Sequence, residues 1–435
     1  MAFQERQITL DNRSHQLTNI NVWTPDSQWL VYDVRPHGAS FTGLTIEKIH
    51  VQSGKTDIIY RAKEGAHVGV VTVSPTEPVR YAFIHGPEFP DEQWHYDFHH
   101  RRGVIVSEDS PGKAVTLDAM DITAPYTPGA LRGGSHVHVF SPDGSRLSFT
   151  YNDHVMHELD PALDLRNIAV AVPLKSVESP KHHPREHDGS YFSVVVSSTT
   201  PQPEPGSDEI NRAYEECWVG QAGYRKADGS WQRWALAFIG NTISATGQKV
   251  PEVYIVDLPE QDADYAVAGE KPLEGTETTL PAPPASVMQR RLTLTSHKRW
   301  PGVVNNPRHW LRASPNGEQI GCLMKDDNGI VQLWTISPNG GEPRQITQGY
   351  CGIQSAFSWE ASGQFVAFIC DNSVMLCNVQ NGQMQRLTKR TEKAPAVEAV
   401  VISPDSHYVA FMREIDGYMQ IFLVETGLKS IRYIT

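Results

Sequence analysis

The chain of 435 residues carries 38 Lys and Arg against 50 Asp and Glu, a formal charge of −12, with 39% hydrophobic residues, 33 Gly and 30 Pro. That acidic balance argues against a nucleic-acid binder, which needs clustered cations, and no apolar run nears the roughly 20 residues of a membrane helix. Five scattered cysteines without CxxC spacing, and a start lacking the charged head and apolar core of a secretory signal, point to a reduced cytoplasmic protein.

In chain order, Gln7-Ile8-Thr9-Leu10 reads as the edge strand of a sheet. Trp23-Thr24-Pro25-Asp26-Ser27 then opens a phrase that recurs: a Pro-Asp/Asn-Gly turn followed by a short apolar strand. Further copies begin at Ser74, Ser141, Glu186, Ser314, Glu360 and Ser403, the fullest being Phe140-Ser141-Pro142-Asp143-Gly144 and the weakest that at Glu186. A second strand (Val331-Gln332-Leu333-Trp334) and a third motif (Gln345-Ile346-Thr347, Arg386-Leu387-Thr388) follow the better copies. Copies are 43 to 67 residues apart except for one interval of 128. This is the period of a propeller blade, and seven copies predict an all-β, seven-bladed β-propeller as one domain over 1–435. The long interval is read as one blade swollen by insertions at about 201–233 and 261–288; two blades there, giving eight in all, is the competing count. Both Gln7-Ile8-Thr9-Leu10 and Arg432-Tyr433-Ile434-Thr435 look like outermost strands, and either can close the ring.

The Ser-Pro-Asp-Gly repeat resembles the blades of TolB-like propellers. Longer strings, among them Trp94-His95-Tyr96-Asp97-Phe98-His99-His100-Arg101-Arg102, Asp118-Ala119-Met120-Asp121-Ile122-Thr123-Ala124-Pro125-Tyr126-Thr127 and Tyr151-Asn152-Asp153-His154-Val155-Met156-His157-Glu158, resemble the YidR family over nearly the whole chain. That resemblance implies an intracellular propeller without an agreed activity, some members being labelled ATP-binding or hyperadherence proteins. A more distant resemblance is to oligogalacturonate lyases, whose metal segment has two histidines one residue apart running into Phe-Ser-Pro-Asp-Gly. His136-Val137-His138-Val139-Phe140-Ser141-Pro142-Asp143-Gly144 has that form, with Gly133 where the lyases have a glutamine.

Residues just ahead of each turn lie on a blade's innermost strand and converge on the axis. His136 and His138 stand five and three before Ser141, His309 five before Ser314 beside Arg308, and His183 three before Glu186. His67 is seven before Ser74, Asn19 and Asn21 five and three before Thr24, Gln354 six before Glu360, and Glu398 five before Ser403. Strand alternation would put His136 and His138 on one side. A divalent metal on His136, His138, His309 and Gln354 is therefore expected, Mn, Fe, Ni or Zn all being suited; the resemblance to the lyases implies Mn first. A small anionic ligand, an acidic sugar, would lie against His67, Asn19, Asn21, Arg185, Gln354 and Glu398. For lyase chemistry His183 or His309 would be the base and Arg308 or Arg185 would hold the carboxylate; each arginine can equally tie loops to nearby acids.

Other segments carry less. Residues 94–102 mix aromatics and bases like a sugar-stacking surface, though a half-buried strand is preferred. His154 and His157 have helical i, i+3 spacing, with a solvated turn preferred. Pro184 lets only one or two of His182, His183 and His187 reach the axis. Gly54-Lys55-Thr56 lies between two strands, so it reads as a hairpin and not a phosphate loop. Residues 201–233 are a lid over the channel or a plain excursion. Three functions stay open: a metal-dependent lyase-like enzyme on an acidic sugar, a non-catalytic nucleotide (ATP) or sugar binder linked to adherence, and a protein-interaction scaffold. None calls for nucleic acid or membrane as partner.

Overall fold

A computed structural model describes residues 3–428. Seven four-stranded antiparallel sheets follow one another around a ring. Their innermost strands, in chain order, are His15–Gln16, Val68–Val73, Gly133–Phe140, Ala213–Trp218, Arg312–Ala313, Ser358–Trp359 and Val400–Ile402, and the sheets are numbered blades 1 to 7 accordingly. The outermost strand of blade 7 is Arg6–Gln7, paired with Tyr418–Glu425, so the N-terminal segment closes the ring. The competing strand at 432–435 lies outside the described residues. Among the described residues, no helix is long and apolar enough to cross a membrane.

The recurring phrase makes the same local network each time. In blade 3 the Ser141 hydroxyl donates to Asp143 (2.7 Å) and accepts from the Arg146 amide (3.0 Å), while Gly144 takes a φ of 73°. Thr24 with Asp26, Ser314 with Asn316, and Ser403 with Asp405 repeat it. Each turn thus bonds its own backbone through residues at most five apart in sequence, which is why the signal is so plain in sequence. Gly54-Lys55-Thr56 indeed sits at a hairpin between Thr45–His50 and Thr56–Arg61.

Two expectations about the long interval are corrected. The copy at Glu186 is not a blade turn: it lies in the connection between Asn167–Val172 and Phe192–Val195 of blade 3, where the Glu186 carboxylate accepts from the amides of Ile122 and His183. Blade 4 makes its own first turn by a different device, the hairpin Tyr224–Arg225 with Trp231–Gln232. Residues 201–233 are therefore no insertion or lid, because they contain the innermost strand Ala213–Trp218, buried throughout. Residues 258–287 form the long connection between Lys249–Asp257 and Met288–Arg291.

Apolar side chains of neighbouring sheets interleave all round the ring, as between blades 3 and 4, where Val139, Ile168 and Val194 meet Trp218, Leu236 and Phe238. Near the axis, indoles stitch blades together. Trp23 donates to the carbonyl of Val401 (3.1 Å), Trp218 to Val139 (3.0 Å) and Trp359 to Arg312 (2.9 Å). The Arg312 guanidinium spans the channel from blade 5 to blade 1, donating to Asn19 Oδ1 (2.7 Å) and its carbonyl (3.0 Å). On the face carrying the turns, a channel cavity of about 690 Å³ is walled by residues of all seven blades.

Candidate functional site

The opposite face is built differently, because blades 2, 3 and 4 share an irregularity. Within each of these innermost strands one residue has a positive φ: Val70 (60°) and Val137 (57°), both four residues ahead of the turn serine, and Glu215 (56°). The ladder slips there in all three, between Gly69 and Thr72, His136 and Val139, and Tyr214 and Cys217. Such bulges re-aim side chains, and a β-branched valine in the left-handed region is strained. The bulge parts His136 from His138. His136 is half-buried and turned toward a pocket, whereas His138 is fully buried behind the strand.

That pocket, about 380 Å³, is lined by His136, Asn152, Arg166, Arg212, Glu215 and Arg308 among others. They come from the innermost strands of blades 3 and 4, from the end of Leu147–Asp153 and from the connections following Leu147–Asp153, Phe192–Val195 and Met288–Arg291. Positive charge dominates. Arg308 pairs with Glu215 (2.8 Å), but Arg166 donates only to the neutral Asn152 (3.1 Å), and neither it nor Arg212 has a carboxylate within ion-pair distance among the described residues. Burial, then the neighbouring Arg101 and Arg212, pull Arg166 down to about 9. Beside them Arg101 is 1% exposed; it donates to the Tyr96 hydroxyl (3.3 Å), while its Nε and Nη2 have no partner among the described residues. Burial and then Arg101, Arg166 and Arg308 hold His136 well below its usual range, so it is a neutral imidazole. Its ring makes no hydrogen bond among the described residues.

Next to the pocket lies a cluster that the repeat argument did not gather. Residues 86–101 join Arg80–His85 to Arg102–Ser107 of blade 2 as a loop, not a strand, and a short helix, His154–Leu159, follows the second strand of blade 3. The helix is capped by Asp153, which accepts from the Met156 amide (2.8 Å) and is itself held by Arg132 (2.7 Å). His100 Nε2 is 3.2 Å from His154 Nδ1, and the ring of His99 stacks on that of His157 at 3.9 Å. Ring nitrogens of His99, His100 and His154 all lie within 4.8 Å of one another, as do donor atoms of His99, His157 and Glu158. Trp94 stacks on His100 at 3.7 Å, and its ring is 5.7 Å from that of His183. Burial and the like-charged neighbours pull His99 to about 4 and His154 to about 3.

The other expected residues are dispersed. Both ring nitrogens of His309 engage backbone, Nδ1 the Pro307 carbonyl (3.1 Å) and Nε2 the Leu323 amide (3.2 Å), so His309 is neither free base nor metal donor. His138 bonds Ser135 (2.9 Å), whose hydroxyl in turn contacts Asp118. The Gln354 side chain clamps the amide and side chain of Asn372. Hence His136, His138, His309 and Gln354 are not assembled into one donor set. Arg185 ties loops, donating to the carbonyls of Glu88 and Phe89 and to Asp91 (2.7 Å). Asn19 and Asn21 line the channel cavity on the other face, Glu398 is exposed beside Gly38, and half-buried His67 lines neither cavity. Of the expected residues, His136 and Arg308 line the arginine pocket, and His183 and Arg185 lie beside Trp94 at the histidine cluster. The sequence signal for what was missed was positional: both histidine runs stand between the second and third strands of adjacent blades.

Residues 67–187 match a family described as a protein of unknown function, DUF3748, and that stretch contains the whole histidine cluster. The chain is 61% identical over 415 residues to the uncharacterized protein YidR of Escherichia coli K12, covering 95% of this chain and 96% of that one. The chain belongs to the YidR family. Among solved structures, this YidR-family chain is similar to an oligogalacturonate lyase in complex with manganese (TM-score 0.59, 11% identity, 97% of this chain and 93% of that one). It is also similar to an oligogalacturonate lyase from Vibrio parahaemolyticus (TM-score 0.57, 8% identity, 98% and 97% covered). At such identities the likeness is one of fold, and it establishes the lyase-like propeller architecture for this YidR relative.

Proposed function

We propose that this protein binds a small acidic sugar by its carboxylate in the arginine-lined pocket, and that the pocket is arranged for lyase-like proton abstraction. The observation that carries the reading is the uncompensated positive charge: Arg166 and Arg212 without ion-pair partners, above the partly unpartnered buried Arg101. Leaving guanidinium groups unpaired in a half-closed pocket is costly, and a carboxylate offsets that cost through paired charge-assisted hydrogen bonds. Binding there also acidifies the proton α to the carboxylate. His136 faces the same space with a free ring, and the incoming anion raises its basicity toward that of an effective base. In an elimination the α proton would pass to His136 as the β carbon–oxygen bond breaks, the leaving oxygen taking a proton from water. A divalent metal, as in the manganese-bound lyase neighbour, would supply Lewis acidity; the donors expected for it, His136, His138, His309 and Gln354, are dispersed in this fold.

The test is calorimetry with galacturonate and its short oligomers on the full chain. Arg166→Ala should weaken binding by about 10-fold or more, the worth of a lost charge-assisted pair. His136→Ala should retain binding and abolish the ultraviolet absorbance of an unsaturated uronate product. Binding untouched by Arg166→Ala would overturn the reading.

A further inference from the structure

We infer that His99, His100 and His154 form a binding site for a borderline divalent cation of the zinc, nickel or iron(II) class, held between the loops of blades 2 and 3. The site goes beyond the anion pocket and does not depend on it. It also differs from the expected His136-Val137-His138 arrangement, which the bulge at Val137 takes apart.

Three features argue for it. First, the donors converge: three imidazoles offer nitrogens within 4.8 Å of one another, and His100 Nε2 and His154 Nδ1 face each other at 3.2 Å. His99 and His100 are only 4% and 7% exposed. Burying several imidazoles against one another serves no packing end, since apolar rings would fill that space without losing water contacts. Second, the rings are oriented as metal ligands are. His100 Nδ1 is tied to the His95 carbonyl (2.9 Å), which leaves Nε2 as the free donor. Trp94 fixes the ring plane by stacking on it, and the turn carrying Trp94 is itself held by Asp91 (2.7 Å to the Trp94 amide) and Arg185. Third, the two supports are independent and well anchored. One is a loop pinned by Arg185; the other is a helix whose cap, Asp153, is locked by buried Arg132.

The donor set selects the cation. A set of three imidazole nitrogens, with the Glu158 and Asp97 carboxylates only beside His99, favours zinc, nickel or iron(II) over manganese, magnesium or calcium, which prefer oxygen. His157, stacked on His99 and 3.7 Å from Asp164, stands behind the site, and Asp164 also lines the arginine pocket. A cation here would thus neighbour the bound anion.

The experiment uses full-length, tag-free protein stripped with chelator and titrated with zinc, nickel or manganese chloride, read by calorimetry, by melting temperature and, with cobalt(II), by ligand-field absorption. Expected are one equivalent of zinc or nickel and manganese weaker by about 10-fold or more. His100→Ala and His154→Ala should each lower zinc affinity by more than about 100-fold, beyond the loss typical of an outer-shell change, while His136→Ala and His138→Ala leave it unchanged. His154→Gln serves if His154→Ala fails to fold. Zinc binding that is absent, or insensitive to both His100 and His154 changes, or abolished by His136→Ala, would overturn the inference. Arg166→Ala should weaken uronate binding by about 10-fold or more and spare zinc, and His154→Ala should weaken zinc and spare uronate on the metal-free protein, so the two readings fail separately.

Discussion

At the scale of single residues, Glu216 is a buried carboxyl outside the pocket whose titration is strongly displaced. It is fully buried on the innermost strand of blade 4; one oxygen accepts from Ser148 (3.3 Å) and the other has no partner among the described residues. Burial, seconded by the adjacent Glu215, pushes its carboxyl up to about 8, against the weaker opposing influence of Arg166. The folded state therefore keeps a proton that the unfolded chain releases near its ordinary range, so Glu216 erodes stability as pH rises from about 4.5 to about 8. Glu216→Gln preserves shape and cannot ionise. It should match the wild type near pH 4 and exceed it at pH 8, by at most roughly 1.4 kcal/mol per pH unit in between. Urea midpoints at the two pH values check this. A variant less stable at pH 8 would mean that Glu216 is ionised and paired. Sequence reading placed Glu216 in an excursion, a lid or a plain surface segment, because a charged pair within an acidic stretch carries no sign that the chain there turns inward.

At the scale of elements, the turns were legible and the innermost strands were not. Ser141, Asp143 and Gly144 complete their network within six residues, so their identities alone announce it. The bulges at Val70, Val137 and Glu215 depend on neighbouring blades and on residues with no particular turn preference. Period-2 alternation consequently put His136 and His138 on one side when the chain sends them to two. The same packing makes Gly103 indispensable. A Cβ at Gly103 would stand 2.4 Å from Nε2 of His138, whose ring is fully buried and bonded to Ser135. Gly103→Ala should cost about 1–3 kcal/mol as overpacking. In the His138→Ala background, where the ring is gone, the same substitution should cost close to nothing. Equal costs in the two backgrounds, measured as a double-mutant cycle by chemical denaturation, would show that the two residues are not in contact.

At the scale of the whole molecule, the repeat fixed seven blades although one of its seven copies was misplaced: the false copy at Glu186 stood in for blade 4, whose first turn lacks the phrase. Closure was the undecided point, and it falls to the N-terminal segment. Besides the pairing of Arg6 and Gln7 with Leu423 and Phe422, the Ile8 amide donates to the Ile421 carbonyl (2.9 Å) and the Ile421 amide to the Thr9 hydroxyl (2.8 Å). Arg413 grips Glu5 at 2.7 and 3.1 Å. These contacts join residues more than 400 apart in sequence. Loop-closure entropy grows only as the logarithm of length, about 0.6 kcal/mol per doubling, so the pairing can hold even across the entire chain. Removing residues 1–9 deletes the fourth strand of blade 7 and bares the edge of Tyr418–Glu425. At about 1 kcal/mol net for each lost hydrogen bond, the loss should be roughly 3 kcal/mol or more, seen as a lower denaturation midpoint and a tendency to associate through the open edge. A peptide of residues 1–12 added in trans should restore the midpoint by rebuilding the strand, and the same peptide with Glu5 and Thr9 replaced by alanine should do so less well. A truncated chain with an unchanged midpoint would show that the ring draws no stability from this closure.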